Sequence, residues 1–126
     1  MNFLLIAIIC GVLAVLYGVV TSRSVLSASA GNERMQEIAG AIQEGARAYL
    51  NRQYRAIAIV GVVVAAVLVF ALDVFAAGGF IVGAVLSGAA GYIGMNVSVR
   101  SNVRVTEGAR QGLAHGLDIA FKAGAV

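Results

Sequence analysis

The sequence contains no proline and no tryptophan, one cysteine and few charges. Only 12% of its 126 residues are charged, whereas an ordinary soluble domain has roughly a quarter. A lone cysteine forms no internal disulfide, and the position of Cys10 in an apolar run predicts a lipid-facing or packing residue. With 60% hydrophobic residues, this scarcity of charge argues against a water-soluble globule.

Charged residues are absent from three long stretches, residues 1–22, 56–72 and 74–99. A charge-free apolar run of about 18 residues or more is typical of a membrane-spanning helix, because roughly 20 residues at 1.5 Å each cross a hydrocarbon core of about 30 Å. We therefore predict an integral membrane protein of the all-α class, with three complete spans and the start of a fourth helix. Any site must then lie between helices or in the polar loop.

The first apolar run could also be a cleavable signal peptide, since Ala28, Ser29 and Ala30 match the small-residue cleavage pattern. No basic residue precedes this run, however, and it is longer than the roughly 7 to 15 apolar residues of a signal peptide. We predict an uncleaved span.

The polar stretch, residues 23–55, has five arginines and three glutamates. Its first part is turn-like, and its second part has apolar residues at helical spacing, namely Met35, Ile38, Ile42, Tyr49 and Leu50. Asn32 is placed to cap this helix, with Glu33 in the first turn. No proline or glycine pair separates it from the apolar run at Ala56, which predicts one long helix.

Charge placement predicts the topology. All nine basic residues fall on one side of the membrane if there are three spans, which places the N-terminus outside and the arginine-rich loop in the cytosol. Because these basic residues flank the spans, they are expected to set orientation, and no nucleic-acid partner is predicted. The predicted segments are span 1 (1–22), a cytosolic linker and amphipathic helix (23–55), span 2 (56–74), an external turn (75–79), span 3 (80–99), and a cytosolic segment with the start of helix 4 (100–126).

Two series of small residues recur at four-residue spacing. The first comprises Gly79, Gly83, Ser87 and Gly91, and the second comprises Gly108, Gly112, Gly116, Ala120 and Gly124. Such stripes let a neighbouring helix backbone approach closely, so both are predicted to be packing faces.

Few residues are candidates for chemistry. Asp73, between two apolar runs, could carry protons or could mark the external end of span 2, and the second interpretation is favoured because the connection follows it directly. His115 could share a helix face with Asp118 and lies near Glu107, but a metal site needs more ligands. A phosphate loop at residues 107–112 is rejected, because it lacks both the spacing and a preceding strand.

Residues 44–55 combine basic and aromatic side chains where the polar stretch meets the apolar run. Arginine and tyrosine suit a membrane interface, because each has an apolar body and a polar tip. Alternatively, Arg47 or Arg52 pairs with acidic groups elsewhere in a longer polypeptide, and the helix that carries them braces cytosolic loops.

Three stretches resemble one family. They are MQEIA (35–39) with QEGARAYLNRQY (43–54), GYIGMNVSVRSNVR (91–104) and AFKAGAV (120–126). In this order they are similar to the membrane-bound pyrophosphatases, which couple pyrophosphate hydrolysis to the pumping of protons or sodium ions. The middle stretch is the most specific, and the last resembles the start of the family's fourth helix.

The resemblance implies that the chain is the N-terminal portion of a longer, homodimeric pump, a multi-pass protein of the cell (inner) membrane of a prokaryote. In the family, Asp, Lys and Glu of an inner ring of helices bind magnesium pyrophosphate. None of those motifs matches this chain, so we expect it to contain no catalytic, cofactor-binding or metal-binding residues, to supply outer-ring packing helices, and to be inactive alone. Its expected partners are the bilayer, the remainder of the pump polypeptide and a second subunit.

The alternative from the residues alone is a free-standing small membrane protein. It would be a non-enzymatic assembly subunit or a proton-carrying, rotor-like hairpin centred on Asp73. A rotor hairpin needs its carboxylate near the middle of a span. The position of Asp73 along its helix therefore tests the rotor-like alternative.

Overall fold

The computed structural model describes residues 2–126, and this part of the chain is built from α-helices without strands. The helices are α1 (Phe3–Leu26), α2 (Glu33–Ala71), α3 (Val74–Gln111) and α4 (Leu113–Gly124). Helices α1, α2 and α3 are long and apolar enough to cross a membrane, with mean hydropathies of 2.9, 2.4 and 1.8 in their most apolar windows. The predicted all-α fold with three candidate spans is confirmed.

Helix α2 contains both the polar stretch and the second apolar run in 39 continuous residues. Its first turn is closed by Asn32, whose Oδ1 accepts a hydrogen bond from the backbone N–H of Met35 at 3.0 Å. This bond satisfies one of the free N–H groups of a helix start, and Glu33 places a carboxylate at the positive end of the helix dipole. The predicted N-cap is confirmed.

The predicted external turn at residues 75–79 is wrong. These residues belong to α3, and the connection between α2 and α3 consists of Leu72 and Asp73 alone. The physical reason is the Asp73 side chain, whose Oδ1 accepts a hydrogen bond from the N–H of Ala76 at 2.7 Å and so starts a helix at once. Gly78 and Gly79 are accommodated inside that helix.

The third and fourth helices also differ from expectation in their bounds. Helix α3 continues past Arg100 to Gln111, because neither proline nor a glycine pair interrupts residues 100–111. The chain then breaks at Gly112 and forms α4, a helix of 12 residues. The second small-residue series is therefore divided between two helices and does not form one continuous stripe.

The described chain forms two compact units. In the first, made by residues up to 41 and from 96 onward, α4 contacts α1, and the buried apolar residues include Val25, Val97, Val103 and Ile119. Ser101 is buried there with its hydroxyl donating to the Val97 carbonyl, which removes the cost of an unpaired polar group. The second unit, residues 42–95, buries Leu50 and Ala77.

Candidate functional site

The loop between α1 and α2 is anchored to α3 by a single arginine. Arg104 Nε donates to the Ala28 carbonyl at 3.2 Å, across 76 positions of sequence. Gly31 ends this loop with a φ of +80°, a left-handed conformation that suits glycine because it has no Cβ. Gln36 Nε2 donates to the Gly31 carbonyl at 3.0 Å, so the loop is held from both α2 and α3.

A small mixed cluster lies beside that glycine. Glu107 Oε2 and Arg110 Nη1 form an ion pair at 3.0 Å, and the same guanidinium nitrogen lies 3.6 Å from the Met35 sulfur. A Cβ at position 31 would lie 2.6 Å from that sulfur and 3.3 Å from the Glu107 carboxylate, so a side chain there would displace the Met35 thioether in addition to the strain of the positive φ. The cluster thus combines one carboxylate, one guanidinium and a thioether, which suits docking of the loop and contains no metal-binding set.

Helix α4 approaches the end of α3 at two glycines. A Cβ on Gly116 would meet the backbone of Ala109 at 3.0 Å, and one on Gly108 would meet Ile119 Cδ1 at 2.9 Å. Both glycines are buried, and this close approach seats Ile119 in the first unit. The two positions of the second small-residue series that flank the break are therefore packing positions, as predicted.

Tyr54 joins α2 to α3 in the second unit. Its hydroxyl donates to the Gly88 carbonyl at 2.7 Å, and its ring meets that of Tyr92 edge to face with centroids 5.8 Å apart. A Cβ on Gly91 would lie 2.9 Å from the Tyr54 hydroxyl oxygen. The absence of side chains at Gly88 and Gly91 therefore makes the space in which Tyr54 lies.

The small-residue series are only partly in contact. Gly91 faces Tyr54, whereas a Cβ at Gly79 or Gly83 would meet nothing within 4 Å, and the same holds for Gly112 and Gly124. For these four positions, the predicted packing face has no partner in the described part of the chain. Four-residue spacing alone does not show whether a stripe of small residues contacts a neighbouring helix.

Asp73 lies at the junction of α2 and α3, exposed, with its carboxylate capping α3. Asp73 therefore follows the end of α2, as predicted, and its assignment to the external end of span 2 stays a prediction. A rotor-like hairpin would need the carboxylate in mid-helix, so that alternative finds no support here.

The remaining candidates do not converge on a site. His115 is exposed, and Asp118 is paired with Lys122 at 2.7 Å, one turn along α4. Among residues 2–126, no three His, Cys, Asp or Glu side chains are grouped so that they could hold a metal ion. The rejected phosphate loop, residues 107–112, is helical as far as Gln111, so its backbone amides are used within the helix.

The arginines of the 44–55 segment point to solvent. Arg47, Arg52 and Arg55 are exposed, and none forms an ion pair with another residue of the described chain. Cys10 is exposed on α1, as expected for a lipid-facing residue of an apolar run. The arrangement can therefore orient helices and bind oppositely charged groups.

Sequence reasoning missed the two long-range hydrogen bonds to backbone carbonyls, those of Tyr54 and Arg104. For Tyr54 a partial signal existed, since Gly88 and Gly91 are three residues apart and leave one face of α3 without side chains. For Arg104 nothing in the sequence pairs it with Ala28, because the bond depends on the path of an irregular loop.

Comparisons with known proteins now identify the family. The family model described as "Inorganic H+ pyrophosphatase" matches residues 12–126. The chain is 46% identical over 120 residues to a K(+)-insensitive pyrophosphate-energized proton pump of Methanosarcina mazei, covering 94% of this chain and 18% of the relative. It is 42% identical over 125 residues to a putative K(+)-stimulated pyrophosphate-energized sodium pump of Clostridium tetani, covering 99% of this chain and 19% of the relative.

A third relative, a K(+)-insensitive pyrophosphate-energized proton pump 2 of Moorella thermoacetica, is 47% identical over 117 residues, which are 92% of this chain and 17% of the relative. The chain thus spans less than a fifth of the length of each of these relatives. With three apolar helices and a family match over residues 12–126, it is a multi-pass membrane protein. The chain belongs to the inorganic H+ pyrophosphatase family.

Proposed function

We propose that this chain is the N-terminal part of a pyrophosphate-energised ion pump, in which diphosphate hydrolysis drives proton or sodium translocation. The observation that supports this most strongly is the family match over residues 12–126, together with relatives that are named as such pumps and are more than five times as long. In this role α1, α2 and α3 are outer-ring helices, and the Tyr54 and Arg104 anchors fix the elements that they join.

Pyrophosphate chemistry in such a pump would use Mg²⁺, which would stabilise the negative charge on the phosphate oxygens. The residues of this chain do not fit such a site. It has six carboxylates and one lysine, and the described residues contain no cluster of three metal-binding side chains. We therefore assign the catalytic and metal-binding residues to the remainder of the polypeptide and expect residues 1–126 alone to be inactive.

The proposal extends to assembly and location. We propose a homodimeric pump in a prokaryotic cell membrane, with the arginine-rich segment of α2 in the cytosol. Support for this orientation comes from the nine basic residues, which all lie on one side of the membrane if the three apolar runs cross it. Whether protons or sodium ions are pumped is left to the transport assay, since relatives of both names match.

The test is to tag the N-terminus of this chain in its native gene, purify the tagged polypeptide from membranes, weigh it and assay pyrophosphate hydrolysis. The expected result is a polypeptide several times heavier than 12.9 kDa that hydrolyses pyrophosphate, whereas residues 1–126 expressed alone do not. A native mass near 12.9 kDa without hydrolysis would contradict the proposal and leave a free-standing assembly subunit.

A further inference from the structure

The arginine-rich part of α2 has an apolar surface that the described chain leaves uncovered. Ile42 and Tyr49 are 48% and 58% exposed, while Leu50 on a neighbouring face is buried. Gly45 lies between them with open space where a Cβ would stand, and Arg52 continues the row. We name these four residues, Ile42, Gly45, Tyr49 and Arg52, the α2 seam.

The spacing of the α2 seam is that of a helix–helix contact. Its residues follow one another at intervals of three, four and three, which is the heptad pattern by which one helix packs along another. The glycine between two large side chains leaves a hole into which a side chain of a neighbouring helix can insert. In sequence, Ile38 extends the same pattern by four residues toward the N-terminus.

Lipid does not account for the Ile42 end of this surface, and of the four seam residues only Arg52, about 4.5 Å along the axis from Arg55, lies at headgroup depth. The apolar run of α2 begins after Arg55, and Ile42 lies 13 residues before that arginine, about 20 Å along the helix axis. The headgroup layer on each side of a bilayer is only about 5–8 Å thick. Ile42 therefore lies beyond the membrane surface, where an exposed apolar row is unfavourable unless protein covers it.

A second copy of the same helix is a poor match. Two subunits related by an axis normal to the membrane bring parallel copies of α2 together, which would place Arg52 against Arg52. Like charges facing each other oppose such pairing, and Arg52 has no carboxylate partner in the described residues that could neutralise it. A partner with a carboxylate at that position fits better.

We propose that the α2 seam docks a water-facing helix of the remaining pump polypeptide, with apolar side chains opposite Ile42 and Tyr49 and a carboxylate opposite Arg52. This inference rests on the proposed function, because the relatives are more than five times as long as this chain and so supply such helices. Arg47 lies about 140–160° around α2 from the seam's apolar residues and provides a matched control, since it too is exposed and forms no ion pair within the described residues.

The experiment places a photo-crosslinking amino acid at position 42, 49 or 47 of the full-length protein in native membranes. We expect the crosslinker at position 42 or 49 to form a product with a peptide of the same polypeptide outside residues 1–126. The crosslinker at position 47 should not form that product. Crosslinking mainly to a second copy, recognised by a doubled mass, would overturn the inference. Products with lipid alone, or equal products at 42 and 47, would also overturn it.

A charge test complements the crosslink. Arg52→Glu is expected to lower the melting temperature of the full-length protein, and reversing a carboxylate in the crosslinked peptide is expected to restore it, whereas Arg47→Glu leaves it unchanged. Equal changes of melting temperature in Arg52→Glu and Arg47→Glu would contradict the pairing of Arg52 with a carboxylate at the α2 seam. Pyrophosphate hydrolysis by the unmodified protein is measured separately, so an active pump without the crosslink refutes docking alone, and a crosslinked protein without hydrolysis refutes the pump alone.

Discussion

Two side chains, Tyr54 and Arg104, connect backbone segments that are distant in sequence. Each donates a hydrogen bond to a backbone carbonyl, that of Gly88 at 2.7 Å and that of Ala28 at 3.2 Å. A hydrogen bond of this kind contributes about 0.5–1.5 kcal/mol to stability, and interhelical ones in membrane proteins contribute about 0.6 kcal/mol on average. Each of these hydrogen bonds therefore contributes little to stability, and its main effect is to fix the position of a helix or loop.

The tyrosine anchor predicts unequal effects of alanine at two glycines of α3. Alanine favours helix at both positions, but a Cβ at Gly91 would crowd the Tyr54 hydroxyl at 2.9 Å, so Gly91→Ala is expected to have an unfolding free energy about 1 kcal/mol below that of Gly83→Ala. Gly83→Ala is the control and should be neutral or slightly stabilising, since nothing lies within 4 Å and alanine favours helix. Denaturant titration in detergent measures both. We expect the difference between the two alanine variants to disappear in a Tyr54→Ala background, and a difference that persists would contradict the tyrosine anchor.

The arginine anchor predicts local opening of the loop from Ser27 to Asn32. Arg104→Gln removes the bond to Ala28 and should increase amide hydrogen exchange and protease cleavage in this loop, with little change in global stability. Arg100→Gln is the control, because the Arg100 side chain is exposed and binds nothing in the described chain. Equal protection of the loop in both variants would show that Arg104 does not hold it.

At the scale of elements, helix ends determine how the chain is divided. Asn32 starts α2 and Asp73 starts α3, each through a side-chain oxygen bonded to a backbone N–H three residues later. An N-cap of this type stabilises a helix by about 0.5–2 kcal/mol relative to alanine. Asp73 in addition makes a two-residue connection possible between helices of 39 and 38 residues.

The role of Asp73 as a cap predicts that its charge is dispensable and its oxygen is not. Asp73→Asn keeps an acceptor for the Ala76 N–H and should leave both stability and ion pumping by the full-length protein nearly unchanged. Asp73→Ala should lower the unfolding free energy by about 1 kcal/mol. A proton carrier would behave differently, because the asparagine variant would then fold normally and lose transport.

Much of this architecture follows from the sequence. Charge gaps identify three apolar helices, and the unbroken stretch around Ala56 predicts that the polar and apolar parts of α2 form one helix. The prediction of a turn at residues 75–79 fails because the glycine pair does not break the helix, whereas a capping carboxylate determines where α3 begins. The Arg104 bond depends on tertiary structure, which no local pattern contains.

At the scale of the whole molecule, the apolar windows of α1 and α2 have no buried residues in this structure, and that of α3 is 6% buried. Surfaces of this kind are covered by lipid or by other helices. This exposure agrees with a chain that matches less than a fifth of the length of its pump relatives. We therefore propose that residues 1–126 are a packing part of a larger transporter.

The most direct test is ion transport by the purified native polypeptide that contains this chain, reconstituted in sealed vesicles with Mg²⁺ and pyrophosphate. We predict a pyrophosphate-dependent gradient of protons or sodium ions that collapses when an ionophore for that ion is added. Pyrophosphate hydrolysis without any gradient, or no response to pyrophosphate at all, would contradict the account.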